Sequence, residues 1–212
     1  MYEQFFSLMA QYDEIPKTAQ ITPFQFQEIY LREAQAGVTD LILVLINSQG
    51  SSTYDNSVQA VELFYEEYPE YRECFHVHSF DGMGYNALYG SPVVSAARML
   101  AEGTSLEEIL RYLKEILPRR QIYFGIYDLK YAAKSGRIPT AAAFLGTKLN
   151  LKLVTPYEII YGNDVSCLEE LRCLMVQQLG YEPAATYQIG AAVAANSGPR
   201  VVGTAFTRKR EE

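Results

Sequence analysis

The chain has 212 residues, a formal net charge of −7 and 49% apolar side chains. That length suits one large domain or two small ones with a real core. The acidic balance argues against general nucleic-acid binding, and no apolar stretch is long enough for an integral membrane segment. The start, Met1-Tyr-Glu-Gln, has no basic region and does not read as a secretory signal. Cys74, Cys167 and Cys173 are odd in number and lack close metal spacing, as expected of reduced thiols in a cytoplasmic protein.

Residues 1–12 predict a helix with Phe5, Phe6, Leu8 and Met9 on its apolar side. After a loop, Thr22-Pro23-Phe24-Gln25 predicts a sharp helix start, with a Thr cap, proline at the first position and Gln at the third. That helix should stop at Gly37. Leu41 to Ile46 is an unbroken apolar run, which fits a parallel strand covered on both faces. It empties into Ser48-Gln49-Gly50-Ser51-Ser52-Thr53. Tyr54, Val58, Val61, Tyr65 and Tyr68 then recur at helical spacing and predict a helix over 54–68, ended by Pro69. Cys74 to Phe80 predicts a second strand, 81–84 a turn, and 92–102 a helix rich in Ala and Val. Ser105-Leu106-Glu107-Glu108 is a capping box, followed by Leu106, Ile109, Leu110, Leu113 and Ile116 on one face.

A break near Pro118-Arg119-Arg120 suggests two domains, 1–120 and 121–212. The second half predicts a strand at 121–127 and short helices at 128–134 and 140–149. Strands at 151–155 and 157–161 should pair, and a helix should follow at 165–179. Strands at 186–193 and 201–206 should flank a hairpin turn at Asn196-Ser197-Gly198-Pro199. The fold class is α/β: a parallel sheet flanked by helices, then a smaller domain with a mixed sheet.

Small polar residues at the carboxyl end of a parallel strand sit where open α/β sheets place ligands. Ser51, Ser52 and Thr53 each offer a hydroxyl and a backbone N–H, and the following helix points its positive end at the same spot. This pattern suits an anion; the same residues also suit an ordinary helix cap. Machinery for catalysis is thin. The serines have no Gly-x-Ser-x-Gly frame and no His–Asp partners, so a hydrolase lacks its base. His76 and His78 share a strand face, but a metal site needs a third ligand that the sequence does not place there. No dinucleotide or P-loop motif is present, and no cofactor is expected. Thr18-Ala19-Gln20 lies in a loop just before a capped helix. Arg137, in Lys134-Ser135-Gly136-Arg137-Ile138, reads on spacing first as a helix-end charge, and otherwise as a residue facing a partner or an anion.

In combination and order, these segments resemble the DegV family of bacterial fatty-acid-binding proteins. Thr18-Ala19-Gln20-Ile21 is similar to its Thr-Ser-Gln-Pro loop, and Asn47 through Tyr54 to its Ser-Ser-x-x-Ser-Gly-Thr-Tyr loop. Asp128-Leu129-Lys130-Tyr131 through Ser135-Gly136-Arg137-Ile138 resembles the family's Asp-Leu-x-Tyr-x-x-x-Gly-Gly-Arg-Ile stretch. Asp81 with Gly90 keeps the spacing of an Asp-Ser loop, and Ala195-Asn196-Ser197-Gly198-Pro199 is similar to a terminal His-x-Gly-Pro-Gly segment.

The resemblance implies a non-enzymatic binding protein of two α/β domains with a long-chain fatty acid between them. It implies that Thr18, Ser51 and the Ser52 N–H hold the carboxylate, with Thr53 in the same loop and Asn196 in place of the family's histidine. It also implies presentation of the acid to a fatty acid kinase, with Arg137 facing that partner. The chain departs from the family at Ala19, Ile21, Ser52 and Asn196. Set against the family pattern, it reads as shortened between Asn163 and Thr186 and is expected to lack the family's first strand ahead of Met1. The alternative is therefore a truncated paralogue acting as a scaffold or regulatory protein. The absent strand also leads to an expectation of self-association into a homo-oligomer.

Overall fold

The computed structural model describes residues 2–12, 16–128, 130–131 and 156–208. In chain order the described elements are α1 (Tyr2–Gln11), α2 (Pro23–Gln35), β1 (Asp40–Leu45), α3 (Thr53–Glu67), β2 (His76–Asp81), α4 (Ala87–Ala101) and α5 (Leu106–Ile116). They continue with β3 (Arg120–Ile126), β4 (Tyr157–Tyr161), α6 (Val165–Leu179), β5 (Ala185–Gln188), α7 (Ala191–Ser197) and β6 (Val201–Thr207). The chain divides into two compact units. One comprises Ala19–Tyr85 and Tyr89–Pro118; the other comprises Met1–Thr18, Asn86–Leu88 and Arg119–Glu212.

The first unit is built on β1 and β2, which pair in parallel from Asp40 opposite His76 to Leu45 opposite Asp81. Successive side chains of a strand alternate faces. Leu41, Leu43 and Leu45 accordingly pack with Phe26, Tyr30, Ala60 and Phe64 of α2 and α3. Ile42 and Val44 pack with Ala96, Ile109 and Leu113 of α4 and α5. Helices on both faces explain why the run carries no polar alternation. Both expected capping boxes form: Thr22 with Gln25, and Ser105 with Glu108. Gly37 takes φ of +81° just past α2.

The buried line of α3 differs from the expected apolar stripe. Ser57, Ala60 and Phe64 are buried, while Val58 is 46% exposed. Small side chains let the helix approach the sheet closely. Burying the Ser57 hydroxyl is tolerated because it donates to the Tyr54 carbonyl at 2.7 Å and its oxygen can accept from the Ser79 hydroxyl, 3.2 Å away. Helix α4 also starts earlier than the expected 92, at Ala87, with Pro92 inside it. Proline has no N–H to give the Leu88 carbonyl. Arg120 Nε supplies that carbonyl with a donor at 3.2 Å, and Arg120 Nη2 donates to the Ala87 carbonyl at 3.0 Å.

The second unit holds a mixed four-stranded sheet, in the order β3-β6-β4-β5. Strand β6 runs antiparallel to β3 and β4, and β5 runs parallel to β4. Tyr157, Ile159, Val202 and Phe206 face Cys167 and Leu168 of α6. On the other face Ile160 and Ala205 meet Ala87 and Leu88.

Two expectations need correction here. The segments around 186–193 and 201–206 do not form a hairpin, because β4 lies between β5 and β6. The link between them is α7, an alanine-rich turn of helix bracketed by Gly190 and Gly198. Alanine is the best helix former and outweighed the turn-like residues after it. Strand β4 is flanked by β6 on one edge and β5 on the other. Helix α1, expected in the domain 1–120, packs instead with the second unit: Phe6 and Met9 are buried against Tyr131, Ile189, Ala194 and Val201. Leu8, expected on the same apolar side, is 52% exposed. Residues 129 and 132–134 of the expected helix 128–134, the expected helix at 140–149, the segment 151–155 and Arg137 lie outside the described residues.

Candidate functional site

Strand β1 ends at Leu45 and α3 starts at Thr53, so the loop between them lies at the carboxyl end of a parallel pair. The loop is tightly tied. Gly50 N–H donates to the Asn47 carbonyl at 3.0 Å, and Gln49 N–H to Asn47 Oδ1 at 3.2 Å. Gly50 packs against the Tyr85 hydroxyl, which would have to shift to admit a β-carbon there. Ser51 Oγ accepts from Thr53 N–H at 3.3 Å and lies 2.9 Å from Thr53 Oγ1. Two hydroxyls sharing one hydrogen bond use one of their two protons in it. Thr53 is buried, Ser51 is half-buried and Ser52 is exposed. Ser52 stands at the cap position of α3, yet its side chain makes no capping bond. Its carbonyl accepts from Asn56 N–H at 2.8 Å. The loop therefore gathers hydroxyls and the positive end of a 15-residue helix in one place.

A second turn buttresses the first. Asp81, the last residue of β2, accepts from Ser48 Oγ at 2.5 Å and from Ser48 N–H at 3.2 Å. It also accepts from Met83 N–H at 2.8 Å. Asn47 N–H donates to the Gly84 carbonyl at 3.1 Å, and Gly82 N–H to the Leu45 carbonyl at 2.7 Å. The sequence marked Ser48 and Asp81 separately and missed the pair. The signal was available: two adjacent parallel strands in this register bring the residue ending β2 beside the loop leaving β1.

The remaining expected residues lie elsewhere. Thr18 is exposed on a segment without helix or strand and groups with the second unit. Asn196 sits in α7, also in the second unit, where its Nδ2 donates to the Ala192 carbonyl at 2.7 Å. The structure thus places Ser51, Ser52 and Thr53 together, each of Thr18 and Asn196 within the other unit, and does not describe Arg137.

Among the described residues, neither histidine stands where it could serve Ser51 as a base. His76 pairs in register with Asp40 at the start of both strands. His78 Nε2 lies 2.9 Å from Asp40 Oδ1, and this contact, ahead of a bond from Thr39, holds the Asp40 carboxyl below its usual range. With six residues per strand, that end is about 20 Å from the serine loop. Among the described residues, no three His, Cys, Asp or Glu side chains group as metal ligands. Nor is any helix among them long and apolar enough to cross a membrane.

Comparison with known proteins agrees with this architecture. A DegV domain-containing protein of Staphylococcus aureus is 32% identical over 156 residues, covering 74% of this chain and 51% of that protein. One from Lactococcus lactis is 33% identical over 135 residues, covering 64% of this chain and 45% of that protein. The chain thus spans about half the length of the curated relatives it matches. A stearic acid-binding protein from Eubacterium ventriosum has the same fold, with a TM-score of 0.78 at 18% identity over 99% of this chain and 84% of that one. A fatty-acid-binding DegV family protein from Thermus thermophilus matches with a TM-score of 0.72 at 23% identity, over 97% and 84% of the two chains. The α/β class and the mixed second sheet are those of this fold. The profile of the DegV family, described as uncharacterised proteins, matches residues 2–158, and the chain belongs to that family.

Proposed function

We propose that the protein binds a long-chain fatty acid, with its carboxylate at the serine loop ahead of α3. The observation that carries this reading is the convergence of Ser51, Thr53 and a helix N-terminus at the end of a parallel strand. A carboxylate there needs donors rather than a base, and hydroxyls, amides and a helix dipole are donors. Membership of a family whose fold includes a stearic acid-binding protein supports the same choice of ligand. An acyl tail would add about 0.8 kcal/mol for each CH₂ taken out of water. Thr18 and Asn196 belong to this proposal as further polar contacts, as do Ser52 through its N–H and a cytoplasmic, non-catalytic role.

Native mass spectrometry of protein purified from a bacterial host tests the reading and reads the expected self-association in the same spectrum. About one acyl chain per protein is expected. Ser51→Ala removes a hydrogen bond to a charged group, about 1.5–3 kcal/mol, and should weaken oleate binding roughly tenfold or more. Protein that repeatedly carries only traces of lipid and takes up no added oleate would instead favour the scaffold or regulatory paralogue.

We further propose that the bound acid is presented to a fatty acid kinase and that Arg137 faces this partner. Arg137→Ala should then keep its lipid and lose phosphorylation of the bound acid by the cognate kinase. Loss of lipid along with phosphorylation would make Arg137 structural.

A further inference from the structure

The turn after β2 and the loop after β1 meet through one side chain, Asp81. Its carboxylate takes three donors: the hydroxyl and N–H of Ser48, and the N–H of Met83. Met83 is held at φ of +52°, a left-handed conformation that a side-chain-bearing residue rarely adopts. Gly82 has no room for a β-carbon between the Leu45 carbonyl and Tyr89. The turn is therefore a strained, close-packed wedge, and Asp81 anchors both of its neighbours.

We infer that Asp81 is the positioning residue of the anion site: it fixes Ser48, and through the short Gln49-Gly50 link it sets where Ser51 and Thr53 present their donors. The inference rests on the carboxylate-binding reading above. Chemistry explains why a carboxylate is tolerated so close to a site for another. An ionised Asp accepts only, and here each oxygen is engaged by loop donors. Its charge is spent on the loop, whereas the hydroxyls of Ser51 and Thr53 are engaged with each other and with one amide of the same loop. A neutral apolar residue at 81 would release Ser48 N–H, Ser48 Oγ and Met83 N–H together. The loop would then sample conformations in which the donors no longer converge, and binding would carry the ordering cost.

The test combines oleate affinity, read by displacement of a fluorescent fatty acid, with deuterium uptake of a peptide spanning residues 46–54. Asp81→Ala should weaken oleate binding roughly tenfold and speed exchange in that peptide. Asp81→Asn restores an acceptor and should recover most of the lost affinity. Ser48→Ala, a milder change that keeps the turn intact, should lower affinity a few-fold and speed the same exchange, so the inference stands or falls even if Asp81→Ala fails to fold. An Asp81→Ala protein that binds oleate like the wild type, or that loses affinity with residues 46–54 exchanging unchanged, would overturn the inference while leaving the binding reading intact. A wild type that takes up no oleate would overturn both.

Discussion

Arg120→Ala is expected to lower unfolding stability by about 3–5 kcal/mol, the cost of removing one partner of a buried ion pair. The Arg120 side chain is 6% exposed and that of its partner Glu158 12% exposed. Truncation strands the Glu158 carboxylate without its guanidinium. It also takes donors from the Leu88 and Ala87 carbonyls, the first of which Pro92 cannot serve. The alanine variant therefore loses on three counts, all in the second unit. Urea unfolding of Arg120→Ala and of the double variant Arg120→Ala/Glu158→Gln checks the cause. The double variant should recover part of the loss, because the isolated charge is gone. A single variant within about 1 kcal/mol of the wild type, the range of exposed pairs, would mean that the pair is effectively solvated.

Phe64→Ala should cost about 3–5 kcal/mol in the first unit. Phe64 is fully buried, with the rings of Tyr30, Tyr68, Tyr71 and Phe75 centred within 6.0 Å of its own. Neighbouring rings whose hydroxyls are tethered cannot collapse fully into the space that a lost ring leaves. Tyr30 donates to the Ser57 carbonyl at 2.9 Å and Tyr65 to the Phe75 carbonyl at 2.7 Å. Burial pushes the phenol of Tyr30 far above its ordinary pKa, so it remains a neutral donor across the working range. Chemical denaturation together with near-ultraviolet circular dichroism reads both the stability loss and the loosening of the aromatic cluster. A loss below about 2 kcal/mol would show that the cluster repacks.

The pattern of success along the chain follows from the range of the forces involved. Both capping boxes, the Gly37 stop, the parallel strand after it and the helix over 165–179 were legible, because each depends on residues within a turn or two of one another. The serine loop was legible for the same reason: hydroxyls between an apolar run and a helix are local chemistry. Size was harder to read than hydrophobicity. On α3 the sequence pointed to Val58, yet Ser57 and Ala60 meet the sheet because they are small. Pro92 was read as a helix start, whereas Arg120, distant in sequence, supplies the donor that lets the helix begin earlier.

By itself, then, the sequence determined the α/β class, most of the element boundaries in its first half and the loop that offers donors to an anion. Tertiary structure decided the rest: that β4 separates β5 from β6, that α1 buries Phe6 and Met9 against the second unit, and that Asp81 holds Ser48. The reason is physical. Strand partners and buried pairs are chosen by contacts between segments tens of residues apart. Those contacts must outweigh the entropy of closing the intervening chain, and local pattern carries no record of which pairing wins.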